Sequence, residues 1–235
     1  MPGKLFLIPV FLEETASSEQ VFPAINLDIL NHLNHFIAEN DKLARRFLKR
    51  VNYSLPLPEA QIELLNEHTK TDDVFQLLQP ALQGINMGLL SDAGCPGVAD
   101  PGALVVQLAH DLGITVEPLI GPSSILLSLM ASGMNGQQFT FHGYLPIDKI
   151  QRARTLKDLS NHSIRTGHTQ LFIETPYRNQ AIFEDILKNC STDLRLCIAC
   201  NLTASTGWTK SMSIQSWKNQ KPDIHKKPCI FLIGR

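Results

Sequence analysis

Apolar runs of strand length alternate with amphipathic stretches almost from one end of the chain to the other, and this alternation constrains the fold most. In the first half "KLFLIPV", "VNYSLPL", "NMGLLSD" and "ITVEPLI" read as strands. Between them stand the helix-like "DKLARRFLKR", "DVFQLLQPALQ" interrupted at Pro80, and "GALVVQLAHDLG" closed by Gly113. The second half restarts the rhythm with helix "PSSILLSLMASG", strand "QQFTFHGYLP", helix "KIQRARTLKDLS", strand "TQLFIET" and helix "YRNQAIFEDILKN". Strands "DLRLCIAC" and "KPCIFLIGR" follow, with a less regular segment between them. Such βαβ units predict an α/β fold with a mostly parallel sheet covered by helices. A chain of 235 residues suits one large domain or two modest ones. The junction near Glu117–Gly121 predicts two α/β lobes, residues 1–117 and 118–235, with a cleft between them.

The loop after "NMGLLSD" is the least ordinary stretch. In "LLSDAGCPGVADPGALVVQLA", from Leu89 to Ala109, glycine and proline crowd between a short apolar run and a helix. A plain strand-to-helix connection needs only a few polar residues. Gly94, Gly97 and Gly102 permit backbone angles and close approaches that side chains forbid, while Pro96 and Pro101 stiffen the path. A rigid, uncluttered loop at the carboxyl end of a strand is where open α/β sheets bind ligands. A purely structural turn is the alternative reading.

A net charge of −1 excludes a global basic field, so a nucleic-acid partner would have to be met by a local patch. One candidate lies in "DKLARRFLKR". Lys42, Arg45, Arg46, Lys49 and Arg50 recur there at helical spacing on one face, and Leu43, Ala44, Phe47, Leu48 and Val51 share another. The stripe reads either as a solvated helix face or as a track for RNA phosphates, which "KIQRARTLK" would extend. No stretch approaches the roughly 20 apolar residues of a membrane helix. The opening "MPGKLFLIPVFLEET" lacks the pattern of a secretory signal. A soluble, cytoplasmic protein without a membrane partner is therefore expected. Five cysteines form no evident framework. Cys197 and Cys200 lie in strand-like "LRLCIAC", where an offset of three puts side chains on opposite faces. No second pair stands at zinc-site spacing, so reduced thiols and no metal are expected.

Five blocks in one order carry a resemblance: "SDAGCPGVADPG", "GITVEPLIGPSS", "SLMASGM", "FTFHGYLP" and "LFIETPYR". Together they resemble the tetrapyrrole methylase family, and within it the branch of 16S ribosomal RNA ribose 2′-O-methyltransferases. The match spans Leu89 to Arg178, with weaker echoes at "LNEHT" and "KPCIFLIG". The resemblance implies two α/β lobes that hold S-adenosylmethionine (SAM) in the cleft between them, usually in a homodimer, with ribosomal RNA or the small ribosomal subunit as partner. It maps cofactor contacts onto Ser91, Asp92, Ala93, Gly94 and Pro96, and onto Ser123 and Ser124. Pro9, Glu174, Leu202, Pro228 and Cys229 are further contacts carried over. The chain departs from the branch in "IPVFLEET", in "AENDK" and in "CNLTASTGWTK", where an Arg–Glu pair of the branch is replaced by Cys200–Asn201. These segments line the acceptor side of the cleft in the branch.

Methyl transfer from a sulfonium needs alignment of acceptor, methyl and sulfur more than covalent help. A ribose hydroxyl profits further from a base or an anion-stabilising donor. His68, Glu174 and Arg178 are the catalytic candidates, with Asp92 beside them. Glu174 and Arg178 fall at the end of a strand and the start of a helix, where they act on substrate or pair with each other. Two other readings stay open: a methyltransferase of another acceptor on the same fold, and a SAM-binding protein without catalysis.

Overall fold

Five short strands, none longer than five residues, build the first sheet of the computed structural model, which describes residues 1–65, 69 and 71–235. They are β1 (Lys4–Ile8), β2 (His35–Ala38), β3 (Gln61–Leu64), β4 (Met87–Leu90) and β5 (Thr115–Pro118), all parallel, in the order β3-β2-β4-β1-β5. The helices between them are α1 (Ser18–Val21), α2 (Ala24–Leu30), α3 (Asp41–Arg50), α4 (Thr71–Leu77), α5 (Gln79–Leu82) and α6 (Gly102–Asp111). Parallel strands covered on both faces are continuous apolar runs, and every residue of β4, "MGLL", is buried. At its centre Gly88 leaves no room for a side chain. A Cβ there would stand 2.6 Å from Ile8 Cδ1 and 2.9 Å from Phe36 Cδ1.

Strand parity sorts the two faces. Phe6, Ile8 and Phe36 pack with Leu30, Phe47 and Leu48 of α2 and α3. Leu5, Ile37 and Leu89 pack instead with Val74, Ala81, Val105 and Ala109 of α4, α5 and α6. Asn40 caps α3 by accepting from the Leu43 amide at 3.2 Å, with Asp41 in the first turn and Lys49 and Arg50 in the last. Those charges sit where the helix dipole favours them.

The chain divides into two compact units, Met1–Ser123 and Ser124–Arg235. Residues after β5 stay tied to the first unit: the Leu119 amide donates to the Leu7 carbonyl at 3.0 Å, and Asn26 Nδ2 to the Ile120 carbonyl at 2.6 Å.

The second unit contains α7 (Ser124–Ser132), β6 (Phe139–Tyr144), α8 (Lys149–Thr166), β7 (Thr169–Ile173), α9 (Asn179–Asn189), β8 (Arg195–Cys200), β9 (Trp208–Ser213), α10 (Ile214–Trp217) and β10 (Cys229–Gly234). Its sheet runs β6-β7-β10-β8-β9. Only β6 and β7 pair in parallel; β10 lies antiparallel between β7 and β8, and β9 is antiparallel to β8. The expected parallel pattern thus holds for the first sheet and gives way in the second. Crossover helices α8 and α9 join β6 to β7 and β7 to β8, but β10 inserts antiparallel between β7 and β8, and β8 and β9 are joined by a loop too short for a crossover. Asp148 caps α8 by accepting from the Ile150 and Gln151 amides, and Gly167, at φ 73°, ends it. Cys197 and Cys200 face opposite sides of β8, one beside Leu129 of α7 and the other beside Trp217 of α10.

Candidate functional site

The first unit gathers its unusual loops at one sheet edge. From β1 the chain proceeds toward β2, and from β4 toward β5, in opposite directions across the sheet, with the connecting helices on opposite faces. This arrangement leaves a crevice above the carboxyl ends of β1 and β4. Into it come Pro9 after β1, Ser91–Pro96 after β4, and Gly121–Ser123 after β5. Backbone contacts bind these three segments together. The Val10 amide donates to the Gly94 carbonyl at 2.9 Å, and so does Ser91 Oγ at 3.1 Å. Cys95 Sγ reaches the Pro122 carbonyl at 3.4 Å. Gly121 lies so close to Pro9 that a Cβ would stand 2.2 Å from the proline ring, and Gly94 adopts φ 76°. Both glycines are required by space or by backbone angle.

Three carboxyls border this edge. Asp100 Oδ1 accepts from the Gly97 amide at 3.1 Å and the Gly102 amide at 2.6 Å, which folds the end of the loop onto the start of α6. Its Oδ2 is buried with no hydrogen-bond partner among the described residues. Glu39 stands directly after β2. Its carboxyl is pushed up to about 7, first by burial, then by its hydrogen bond and charge contact with Asp100 and by the charge of Asp92. A hydrogen bond between two carboxyls needs a proton on one of them, and Glu39 is the one that holds it. Asp92 is also raised, by burial and then by Asp100. Sequence reading missed Glu39. Its only signal was its place directly after an apolar run, and the strand β2 itself went unread.

A cavity of about 190 Å³ lies beside the loop, lined by Val10–Glu14, four residues of α3 and Ser91–Ala93. Most of the basic stripe on α3 is engaged there or nearby. Arg50 donates to the carbonyls of Glu13 and Ala16 and lies 3.5 Å from the centre of the Phe11 ring. Arg46 pairs with Glu14 at 2.6 Å. Arg45 pairs with Asp41 at 2.9 Å and donates to the Leu57 carbonyl at 2.6 Å. Lys42 and Lys49 are exposed and have no ion-pair partner among the described residues. Leu43, expected on the apolar face, is exposed too. Arg152, counted in the stripe's extension, is buried and paired with Asp185 at 2.7 Å.

In the second unit the carried-over residues meet at one sheet edge. The Glu174 carboxyl is buried, accepts from the Thr175 amide at 2.7 Å, and pairs with Arg178 at 2.8 Å. The Asn201 amide donates to the Pro228 carbonyl at 2.9 Å, which brings the turn carrying Leu202 against Pro228. Cys229 stands opposite Cys200 in the ladder, and their thiols are hydrogen-bonded. Ser123 and Ser124 lead into α7. His68 lies outside the described residues.

No protein-family model matches the chain. Curated proteins do. Over 210 residues the chain is 28% identical to the ribosomal RNA small subunit methyltransferase I of Vibrio cholerae, covering 88% of this chain and 70% of that protein. A protein of the same name from Buchnera aphidicola subsp. Schizaphis graminum is 29% identical over 234 residues, covering 98% and 78%. The crystal structure of the methyltransferase CobJ shares the fold, with a TM-score of 0.65 at 15% identity over 99% of this chain and 94% of that one. The chain thus shares its fold with tetrapyrrole methyltransferases and is similar over most of its length to ribosomal RNA small subunit methyltransferases. Its glycine-rich block is the loop after β4, its "GPSS" block the exit from β5, and "ETPYR" the exit from β7. These three blocks are strand-end loops, while "SLMASGM" closes α7 and "FTFHGYLP" is β6 and its exit.

Proposed function

We propose that this chain transfers the methyl group of SAM to a ribose 2′-hydroxyl of small-subunit ribosomal RNA. The observation that carries the reading is the convergence of Pro9, Ser91–Pro96 and Gly121–Ser123 at the carboxyl edge of a parallel sheet. Relatives named as ribosomal RNA small subunit methyltransferases match most of the chain. The residues present suit the cofactor. Tightly packed Gly94 and Gly121 leave bare backbone for a flat purine and an amino-acid tail. SAM supplies an activated methyl on a sulfonium.

The chain's own groups then have three tasks. Ser91, Asp92, Ala93, Gly94 and Pro96, with Ser123 and Ser124, hold and orient the cofactor. The resemblance carries further cofactor contacts over to Pro9, Leu202, Pro228 and Cys229. The Glu174–Arg178 pair stands at the exit from β7, its carboxylate the candidate to accept the hydroxyl proton and its guanidinium the candidate to steady the developing anion. His68 remains a further candidate in this scheme. We also assign the chain to the cytoplasm, where small subunits assemble, and to a homodimer, as the resemblance implies.

Purified protein, small subunits from cells lacking it, and SAM labelled in its methyl group provide the test. A 2′-O-methyl group blocks alkaline cleavage at its own nucleotide, so label in an alkali-stable dinucleotide of the RNA is the expected result. Label in a base, a protein or a small molecule would assign another acceptor. SAM binding without any transfer would leave a binding protein.

A further inference from the structure

The chain has three tyrosines, and two of them are left in water. Tyr53 is buried, its hydroxyl bonded to the Leu33 carbonyl. Tyr144 and Tyr177 are 62% and 73% exposed and follow from β6 and β7, which are parallel neighbours. Ile147, after β6, and Ile150, in the first turn of α8, are exposed as well. Large apolar side chains gathered at one sheet edge mark a surface that something covers.

The backbone is shaped to present these rings. Phe141 pairs with Leu171 but Tyr144 pairs with Ile173, so β6 carries one extra residue, a bulge that includes Gly143 at φ 63°. A bulge of this kind re-aims the side chain that follows it. The loop facing Tyr177 is built differently. Asn179, wholly buried, donates through Nδ2 to the carbonyls of Ile224 at 3.1 Å and Lys227 at 2.7 Å. Within that clamp Lys226 takes φ 58°, an angle unfavourable for a side-chain-bearing residue, and its amide donates to the Pro176 carbonyl at 3.0 Å. The result sets the Lys226 ammonium 5.6 Å from the centre of the Tyr177 ring. A buried amide and a left-handed backbone thus hold an exposed cation over an exposed aromatic ring.

We propose that Tyr144 and Tyr177, with Lys226 and Lys149, form a stacking surface for unpaired nucleotides of the RNA substrate, an inference that rests on the RNA reading above. Bases freed from pairing stack on aromatic side chains, and neighbouring cations take the phosphates. The charges favour RNA over a protein partner. Asp148 is committed to the first amides of α8 and Asp223 to Lys227, while Lys149 and Lys226 have no acidic partner among the described residues. The isoleucines flank the rings as apolar walls.

The test uses the intact protein and small subunits from cells lacking it, with binding followed by filter retention. Replacing Tyr144 and Tyr177 together by alanine weakens binding between about fivefold and a hundredfold per ring, the range for a lost base stack. Tyr177→Phe keeps the ring and retains affinity; Lys226→Gln weakens binding less and flattens its salt dependence. SAM affinity and melting temperature stay unchanged, since both rings are exposed. Subunits carrying 4-thiouridine should crosslink to the Tyr177 segment. Wild-type protein that ignores subunits would overturn the RNA reading and this surface with it. Wild-type binding matched by the double alanine variant would overturn the surface alone. A variant that binds subunits normally but loses self-association would make this edge a contact between copies.

Discussion

Asp100 spends one carboxylate oxygen on two backbone amides and lies beside Glu39, whose carboxyl it helps to keep protonated, so the loop after β4 is tied to a proton as well as to glycine. The sign of the pH effect follows. An unfolded glutamate releases its proton near 4.3, whereas folded Glu39 keeps it to about 7. Stability should therefore be greatest in this respect below about 4.3, fall as pH rises toward 7, and level off above it. Glu39→Gln, which donates at every pH, should remove that slope and melt higher than wild type at pH 8. Parallel melting curves for the two proteins between pH 4.5 and 8 would refute the shared proton. Arg50 makes a second case for reading contacts before charge. Its guanidinium holds the Glu13–Ala16 loop through two carbonyls, so Arg50→Gln should cost of order 2 kcal/mol in chemical denaturation. Lys49→Gln, on the same stripe, should cost almost nothing and act on RNA binding alone. Helical spacing made the stripe legible in the sequence. The partners that occupy its arginines come from loops distant in the chain, and no periodicity reports them.

Among the elements, legibility followed length and burial. The helices "DKLARRFLKR", "GALVVQLAHDLG" and "YRNQAIFEDILKN" form close to where their patterns place them. The strand expected at "VNYSLPL" does not. Val51 and Tyr53 alternate as strand residues would, but they are buried as the end of α3 and the turn after it. The true second strand, "HFIA", is four residues long, too short for period two to stand out. Strands β3 and β9 are edge strands with little burial, and neither shows the alternation that burial imposes. One pair governs the second unit more than its sequence suggests. Arg152 of α8 meets Asp185 of α9 through both Nε and Nη2, and its Nη1 holds the Ile147 carbonyl in the turn after Tyr144. Asp185→Ala strands a buried guanidinium and should cost about 3–5 kcal/mol in urea or guanidinium unfolding. Replacing Arg152 and Asp185 together by apolar residues of similar volume should recover much of that loss. A single substitution costing under 1 kcal/mol would show the pair to be solvated.

Across the whole molecule, charge nearly cancels: 21 basic against 22 acidic residues leave no long-range field to collect RNA. Much of the basic half is also consumed internally, in pairs such as Arg46–Glu14, Arg152–Asp185, Arg178–Glu174 and Lys227–Asp223. The cations that the two proposed RNA surfaces leave available are Lys42 and Lys49 in the first unit and Lys149 and Lys226 in the second. Each phosphate neutralised on single-stranded RNA contributes about −0.7 to the slope of log K against log salt. Four contacts therefore predict a slope of about −3, shallow for a protein that binds a large RNA. Filter binding to undermethylated small subunits between about 50 and 300 mM salt gives the number directly. Lys42→Gln with Lys49→Gln should flatten the slope by about 1.4, and Lys226→Gln by about 0.7, each without touching SAM affinity. A wild-type slope steeper than about −6 would mean that the paired arginines release their partners to reach phosphate. The intramolecular contacts of Arg45, Arg46 and Arg50 would then be a resting arrangement that RNA displaces.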